Sequence, residues 1–375
     1  MLSPQEYQHY QRHITLPQLG LVGQTKLKNA KVLVIGAGGL SCPMLLYLAA
    51  AGVGKIGIMD GDTIDISNLH RQILYDIESV GKLKVAEAQR KLLLLNPHIT
   101  IETYPFFCKA ENALPIFAEY DVIADGSDNF ATRYLTNDAA VLTEKPLVYA
   151  AIHQFQGQVA VFNFRNEKSF FSSNYRDLFP SPPLPDSVPN CAEAGVLGVL
   201  PGIIGSIQAL EVIKIITGIG EILADKLFIF DTLSFSQYTL NIQKEENNPL
   251  TGKNPTQTQL IDYELFCNSS PTLSKPIREI SVETFLAWKN AQKPFQLIDV
   301  REKEEYEKKN IGGISVPFSI FEKNIPIFAA NLPIVIHCQT GKRSAKAVAM
   351  LQEKYGFEEV WNLCGFTQIH TDDSR

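Results

Sequence analysis

An α/β fold, repeated in two successive units, is what this 375-residue sequence predicts. Three observations predict it. Short apolar, strand-like runs alternate with longer helix-like segments on both sides of one compositional break. A glycine-rich turn joins the first strand to the first long helix. The break itself, KEENNPLTGKNPTQTQ after about Gln243, is rich in Asn, Thr, Pro and charge and has no apolar period.

The elements follow in order. KVLVIG from Lys31 reads as a buried strand, the glycines after it as a turn, the segment to about Ala51 as a helix, and KIGIMD as a second strand. YDVIADGSDN, Tyr120 to Asn129, is a short apolar run ending in polar residues, the pattern of a buried parallel strand that delivers side chains to the carboxyl edge of a sheet. Ala194 to Leu210 is uncharged, but it is shorter than a membrane span, contains Pro201 and runs into Glu211 and Lys214, so a buried helix is expected. Beyond the break, with local structure around IDYELFC, the segments ISVETFLAWKN, FQLIDV and Leu332 to Cys338 predict a second α/β unit of about a hundred residues. The chain therefore divides into 1–247, a linker at 248–277, and 278–375.

Composition sets limits. A net charge of -6 argues against nucleic acid or an anionic membrane as partner, since both are met by basic surfaces. MLSPQEYQHYQRH lacks the apolar stretch of a secretory signal, so a cytoplasmic location is expected. The six cysteines form no CxxC pair, which predicts free thiols rather than a disulfide framework.

The first candidate site starts at Gly36-Ala37-Gly38-Gly39-Leu40-Ser41, where backbone N–H groups at a helix start can approach a nucleotide without interference from Cβ atoms. Asp60, at the end of the next strand, is placed to accept from ribose hydroxyls. A hydride-transferring dehydrogenase would share these features. Asp62, Ser67-Asn68-Leu69-His70-Arg71-Gln72, Lys84 and Asp128-Asn129 favour phosphate chemistry instead: Arg71 and Lys84 can neutralise a triphosphate, and Asp128 can hold Mg²⁺. For any one of these charges alone, a solvated surface position is the better reading.

Together these segments, with YQRHI, LAAAGVGKIGIMDGDTIDISNLHRQ, VGKLKV, LNP and CAEAGVLGVLPGIIGSIQALEVIK, closely resemble the MoeB/ThiF family of adenylating enzymes, relatives of the ubiquitin-activating enzymes, over residues 5 to 245. The resemblance implies a Rossmann-like ATP-binding domain that adenylates the C-terminal glycine of a ubiquitin-like, MoaD- or ThiS-like sulfur carrier with a Gly-Gly tail. It implies that Gly39, Asp60, Asn68, Arg71, Lys84 and Asp128 contact ATP or its Mg²⁺. It also implies that Arg12 reaches the phosphates, in its own chain or from the partner subunit of a homodimer. Cys191 sits where some relatives form a covalent link to the carrier; its alternative reading is a packed residue before an apolar helix.

Two departures stand out. Many members hold a structural zinc with two CxxC pairs, but the matching positions here are Asn174, Asp177, Asn248 and Thr251, a poor tetrahedral zinc set. Zinc is not expected, and packing or hydrogen bonds must hold this region. Ser41 stands where a third glycine is usual, a change expected to affect helix packing.

The second candidate site is His337-Cys338-Gln339-Thr340-Gly341-Lys342-Arg343-Ser344, a thiol between a strand and a helix start. Backbone N–H groups, the helix dipole, Lys342 and Arg343 would favour a thiolate or persulfide there. With Ile298-Asp299-Val300-Arg301, Glu305 and Ile311-Gly312-Gly313, this loop resembles the rhodanese family over residues 278 to 366, with only four residues between Cys338 and Arg343. The resemblance implies a small α/β sulfurtransferase domain with a persulfide at Cys338, loaded by a donor such as a cysteine desulfurase. Asp299 and Arg301 read as structural. Cys364 reads as a packed residue, with a resolving thiol as the alternative. Rival readings of the whole chain are adenylation of a non-protein carboxylate, such as a tRNA base, and an inactive nucleotide-binding scaffold.

Overall fold

Five parallel strands make the half of the first sheet that carries the glycine-rich turn: β1 (Lys31–Ile35), β2 (Lys55–Met59), β3 (Thr100–Tyr104), β4 (Val122–Asp125) and β5 (Leu147–His153). The computed structural model describes residues 1–183, 195–268, 277–328 and 332–364. It separates into two compact units, Met1–Ser269 and Ser270–Arg375. In the first, the sheet order is β3-β2-β1-β4-β5-β6-β7-β8, completed by antiparallel β6 (Gln156–Phe162), β7 (Lys226–Asp231) and β8 (Ser236–Asn241). β1 and β4 are neighbours whose connections leave in opposite directions, so a crevice opens beyond their carboxyl ends.

The strands expected from the sequence are these strands, because apolar runs such as Val32–Ile35 are buried on both faces of the sheet. The Ser41–Ala51 helix and the Leu200–Thr217 helix pack on each other and cover one face. Gly205 lets them meet: a β-carbon there would stand 2.2 Å from the Leu40 carbonyl oxygen. Leu200–Thr217 is long and apolar enough to cross a membrane, yet it is a core helix of this unit. Its Gln208 is buried and donates to the Asp125 carbonyl (2.8 Å), and Glu211 accepts from the Leu223 N–H (2.8 Å). Ser41, in place of the usual glycine, is buried with its Oγ against Gly126, where a β-carbon would lie 2.1 Å away. Gly126 therefore takes on the small-residue role at this contact.

The stretch from 248 onward, expected as linker, packs on the first unit over its first twenty residues. Asn248 is buried and donates to Asp177 Oδ1 (2.7 Å) and Asn174 Oδ1 (3.2 Å), while Asn174 Nδ2 donates to Thr251 Oγ1 (2.9 Å). The four positions that depart from the zinc pattern thus hydrogen-bond to one another. Tyr263 and Gln257 both donate to Asp138 Oδ2 (2.7 Å each). The segment looked like a linker because side-chain hydrogen bonds, not an apolar stripe, fix it. If those bonds do the work of a metal, prolonged chelation should leave the thermal unfolding curve of this unit in place; a clear downward shift would show a bound metal.

Asp138 is the hub of this region. It is fully buried and accepts two hydrogen bonds from Arg176 (2.9 and 2.7 Å), itself 3% exposed. Removing the carboxylate leaves a buried guanidinium uncompensated, so Asp138→Ala should destabilise the first unit by about 3–5 kcal/mol in denaturant unfolding. A loss below about 1 kcal/mol, the scale of an exposed pair, would show that water reaches Arg176.

The second unit has an all-parallel sheet in the order β11-β10-β12-β13-β9: β9 (Glu279–Ile280), β10 (Gln296–Asp299), β11 (Ile314–Ser315), β12 (Ile334–His337) and β13 (Val360–Leu363). The Val282–Asn290 and Lys342–Glu353 helices flank it. Both tryptophans of the chain, Trp288 and Trp361, lie here with ring centroids 5.6 Å apart.

Candidate functional sites

The first site lies beyond the carboxyl ends of β1, β2 and β4, in a cavity of about 410 Å³. Gly36 opens the turn at φ +85, a conformation that favours glycine, and donates its N–H to the Met59 carbonyl (2.7 Å). A β-carbon on Gly39 would stand 3.3 Å from Pro201 and 3.6 Å from Arg71 Cγ, so the floor of the turn is already close-packed. Asp60 ends β2, and its two oxygens accept from the N–H groups of Ala37 and Asp62 (2.7 Å each), which pins the carboxylate at the cavity wall. An ionised carboxylate has about four lone-pair sites, so capacity remains for a ligand hydroxyl.

Lys84, at the start of the Lys84–Leu95 helix, is 8% exposed in its side chain and donates to Asp62 Oδ2 (2.9 Å). Arg71 Nη1 donates to the Ser67 carbonyl (3.0 Å) and lies 3.4 Å from His70 Nε2. Asn129 caps the Phe130–Leu142 helix, accepting from the Thr132 N–H (2.8 Å), and leaves Asp128 exposed at the mouth. Of the expected residues, Gly36, Gly38, Gly39, Asp60, Asp62, Asn68, Arg71, Lys84, Asp128 and Asn129 line the cavity. Ser67, Leu69 and His70 do not; they shape the turn that carries Asn68 and Arg71. Arg12 is exposed on the short Gln11–Ile14 helix, outside the cavity lining. Cys191 lies outside the described residues.

Gln72, the end of the run read as phosphate-binding, lines the cavity too, as do Arg133, Phe107 and Cys108, to which sequence reasoning assigned no role. Gln72 is buried, and its Oε1 and the Ser127 Oγ have no hydrogen-bond partner among the described residues, leaving polar atoms for a ligand to satisfy. Arg133, on the Phe130–Leu142 helix, is buried, and only the fold brings it to the cavity wall. Phe107 and Cys108 come from the loop after β3, which only the sheet order brings here. Burial pushes the Cys108 thiol up, and pushes Cys42 up to about 12, so neither behaves as a ready nucleophile.

The lining combines three cations, Arg71, Lys84 and Arg133, with carboxylates that can meet a ribose or a metal. This suits a nucleoside triphosphate. Among the described residues no group of three acidic, His or Cys side chains could cage a metal by itself. One carboxylate plus substrate phosphate oxygens is the way Mg²⁺ is commonly held, and Asp128 fits that role.

In the second unit, Cys338 follows β12 and is fully buried, with its Sγ accepting from the N–H and the hydroxyl of Ser344 (3.4 Å each). Gly341, at φ +84, caps the Lys342–Glu353 helix, while Gln339, Thr340 and Lys342 are exposed around it. Arg343, expected to support a thiolate, instead makes a two-pronged pair with Glu305 (2.7 Å to each oxygen). The guanidinium holds the Glu305 carboxyl down at about 2 and shares its charge with it. Ser344 is therefore the direct donor to the sulfur. Asp299 and Arg301 form a buried pair, with Arg301 Nε donating to both oxygens (3.0 and 3.1 Å) and Nη2 to one (2.6 Å), the structural role expected.

His337 is buried 3.7 Å from Asp299, and burial lowers its value to about 4. The unfolded chain then binds a proton that the folded chain refuses. The stability from neutral His337 is fully present above about pH 6.5 and is lost as pH falls toward 4. Tryptophan fluorescence, which reports only this unit, should show its unfolding midpoint dropping across that window; a flat profile would contradict the burial of a neutral ring.

Comparison with known proteins shows the families to which the two units belong. A family model described as the ThiF family matches residues 10–252, and one described as a rhodanese-like domain matches residues 281–371. The chain is 42% identical to the probable adenylyltransferase/sulfurtransferase MoeZ of Mycobacterium tuberculosis, over 97% of this chain and 92% of that protein. It is 42% identical to adenylyltransferase and sulfurtransferase MOCS3 of Anopheles gambiae, covering 93% and 82%. A sulfur carrier protein adenylyltransferase of Thermus thermophilus is 51% identical over 71% of this chain and 98% of its own length. Among solved structures, E. coli MccB shares the fold at a TM-score of 0.58 and 22% identity, covering 67% of this chain and 76% of that one.

Proposed function

The chain belongs to the ThiF family, is an enzyme of the adenylyltransferase/sulfurtransferase type with a rhodanese-like domain, and on that premise we propose that it activates and sulfurates a ubiquitin-like carrier protein. The observation that carries the reading is the pairing of a cavity lined by Arg71, Lys84 and Asp128 with a strand-to-helix thiol at Cys338 in the same chain.

In the first step the terminal glycine carboxylate of the carrier attacks the α-phosphorus of ATP, pyrophosphate leaves, and an acyl-adenylate remains. The protein's task is positioning and charge stabilisation. The glycine-rich turn and Asp60 hold the nucleoside end, Arg71 and Lys84 offset charge on the phosphates, and Arg12 of a second copy adds to them in a homodimer. Asp128 would hold Mg²⁺, which supplies charge neutralisation across the phosphate oxygens when bound. In the second step a persulfide on Cys338, loaded by a donor such as a cysteine desulfurase, attacks the activated carbonyl and AMP leaves. The names of the relatives support the carrier class, and molybdopterin or thiamine synthesis is the setting these carriers suggest.

Pyrophosphate exchange into ATP, with Mg²⁺ and with MoaD-like and ThiS-like proteins supplied in parallel, tests this. Exchange that depends on one carrier identifies it. Absence of exchange with either, in folded protein that binds ATP, overturns the protein-carrier reading.

A further inference from the structure

β12 and β13 are parallel neighbours whose register runs Ile336↔Asn362 and His337↔Leu363. Cys338 and Cys364 are the next residues on each, so the two thiols leave adjacent strands at the same level. Strands in a sheet lie about 4.8 Å apart, inside the Cα separation of about 4.4–6.8 Å that a disulfide needs. Alternation along the strands puts Cys338 and Cys364 on the face shared by Ile336 and Asn362. Asn362 Nδ2 donates to the Cys364 Sγ (3.5 Å), and a β-carbon on Gly341, within the Cys338 loop, would stand 3.9 Å from that sulfur. Burial first, then the Glu279 carboxylate, raises the Cys364 thiol, and Cys338 itself adds to the shift. Both cysteines are unbridged, and Cys364 is only partly buried.

We propose that Cys364 is the resolving thiol of the Cys338 sulfur site, an inference that rests on the sulfur-transfer reading above. When the persulfide's outer sulfur attacks the acyl-adenylate, AMP leaves and the carrier is joined to Cys338 through an acyl disulfide. The Cys364 sulfur attacks the Sγ of Cys338 as its proton passes to the adjoining Glu279 carboxylate, the sulfur–sulfur bond to the carrier breaks, and the carrier departs as a thiocarboxylate. The two cysteines are left as a disulfide, and a dithiol reductant returns them to thiols. Without an acceptor the same attack on the bare persulfide expels hydrosulfide and gives the same disulfide.

The acceptor-free reaction is the test. The full chain is reduced, loaded with thiosulfate, freed of excess reagent and analysed by non-reducing peptide mass spectrometry with hydrosulfide detection, beside Cys364→Ser and Cys364→Ala. The expected result is a Cys338–Cys364 disulfide with one hydrosulfide released per loaded chain in the native sequence, and a Cys338 persulfide retained in both variants. A persulfide that persists equally in all three proteins overturns the resolving role and leaves sulfur transfer intact. No persulfide and no disulfide in any of the three overturns the sulfur-transfer reading, and the resolving role with it.

Discussion

Asp128→Ala should cut carrier-dependent pyrophosphate exchange by about 10²–10³-fold, the scale on which removing one preorganised electrostatic group lowers turnover. The other carboxylates at the cavity are engaged by protein donors: Asp60 by two backbone N–H groups, Asp62 by Lys84, and Asp65 by the Ser67 N–H. Asp128 is exposed at the mouth and has no such donor among the described residues. Its charge is therefore available to a hard cation, which would offset phosphate charge. The variant should also need more Mg²⁺ for half-maximal exchange, a shift that a merely structural aspartate would not cause. Because Asp128 makes no side-chain bond among the described residues, thermal stability should barely change. Exchange at the native rate would remove the magnesium assignment.

Cys338→Ser should reduce thiocarboxylate formation on the carrier to background while pyrophosphate exchange stays within about twofold, since the two chemistries reside in separately packed units. The serine oxygen can accept from Ser344 as the sulfur does, so the loop should keep its shape. What is lost is a nucleophile able to carry sulfane sulfur. A mass measurement of the carrier after incubation with ATP and a sulfur donor would separate the two readouts. Loss of both activities would show that the adenylating unit needs the second unit's sulfur chemistry, contrary to the division drawn here.

The order of these effects follows from what each site contributes. On the proposed function, several groups at the first would share the stabilisation of phosphate charge, so any single loss is partial, whereas at the second one atom would carry the transferred sulfur, so its loss is total.

Much of this was legible in the sequence because it is local. An apolar run that ends in glycine or aspartate makes a buried strand whose last side chain faces a ligand edge, and KVLVIG, KIGIMD and YDVIADGSDN behave accordingly as β1, β2 and β4. A thiol between PIVIH and a helix start is likewise local, so Cys338 could be singled out without coordinates.

What depended on contacts between distant segments was not legible. The polar stretch from Asn248 onward reads as linker because its anchors, Asn174, Asp177 and Asp138, lie far back in the chain. Arg343 reads as a thiolate partner until Glu305, on another helix, claims its guanidinium. Phe107, Cys108 and Arg133 join the cavity only because the order β3-β2-β1-β4 gathers their elements at one edge. The sequence by itself determined the two α/β units, the glycine-rich turn and the cysteine between strand and helix start, since periodicity and turn chemistry act over a few residues. Only the tertiary structure decided which charges pair and which two cysteines stand side by side, because strand register and buried hydrogen bonds join residues that the linear order keeps apart.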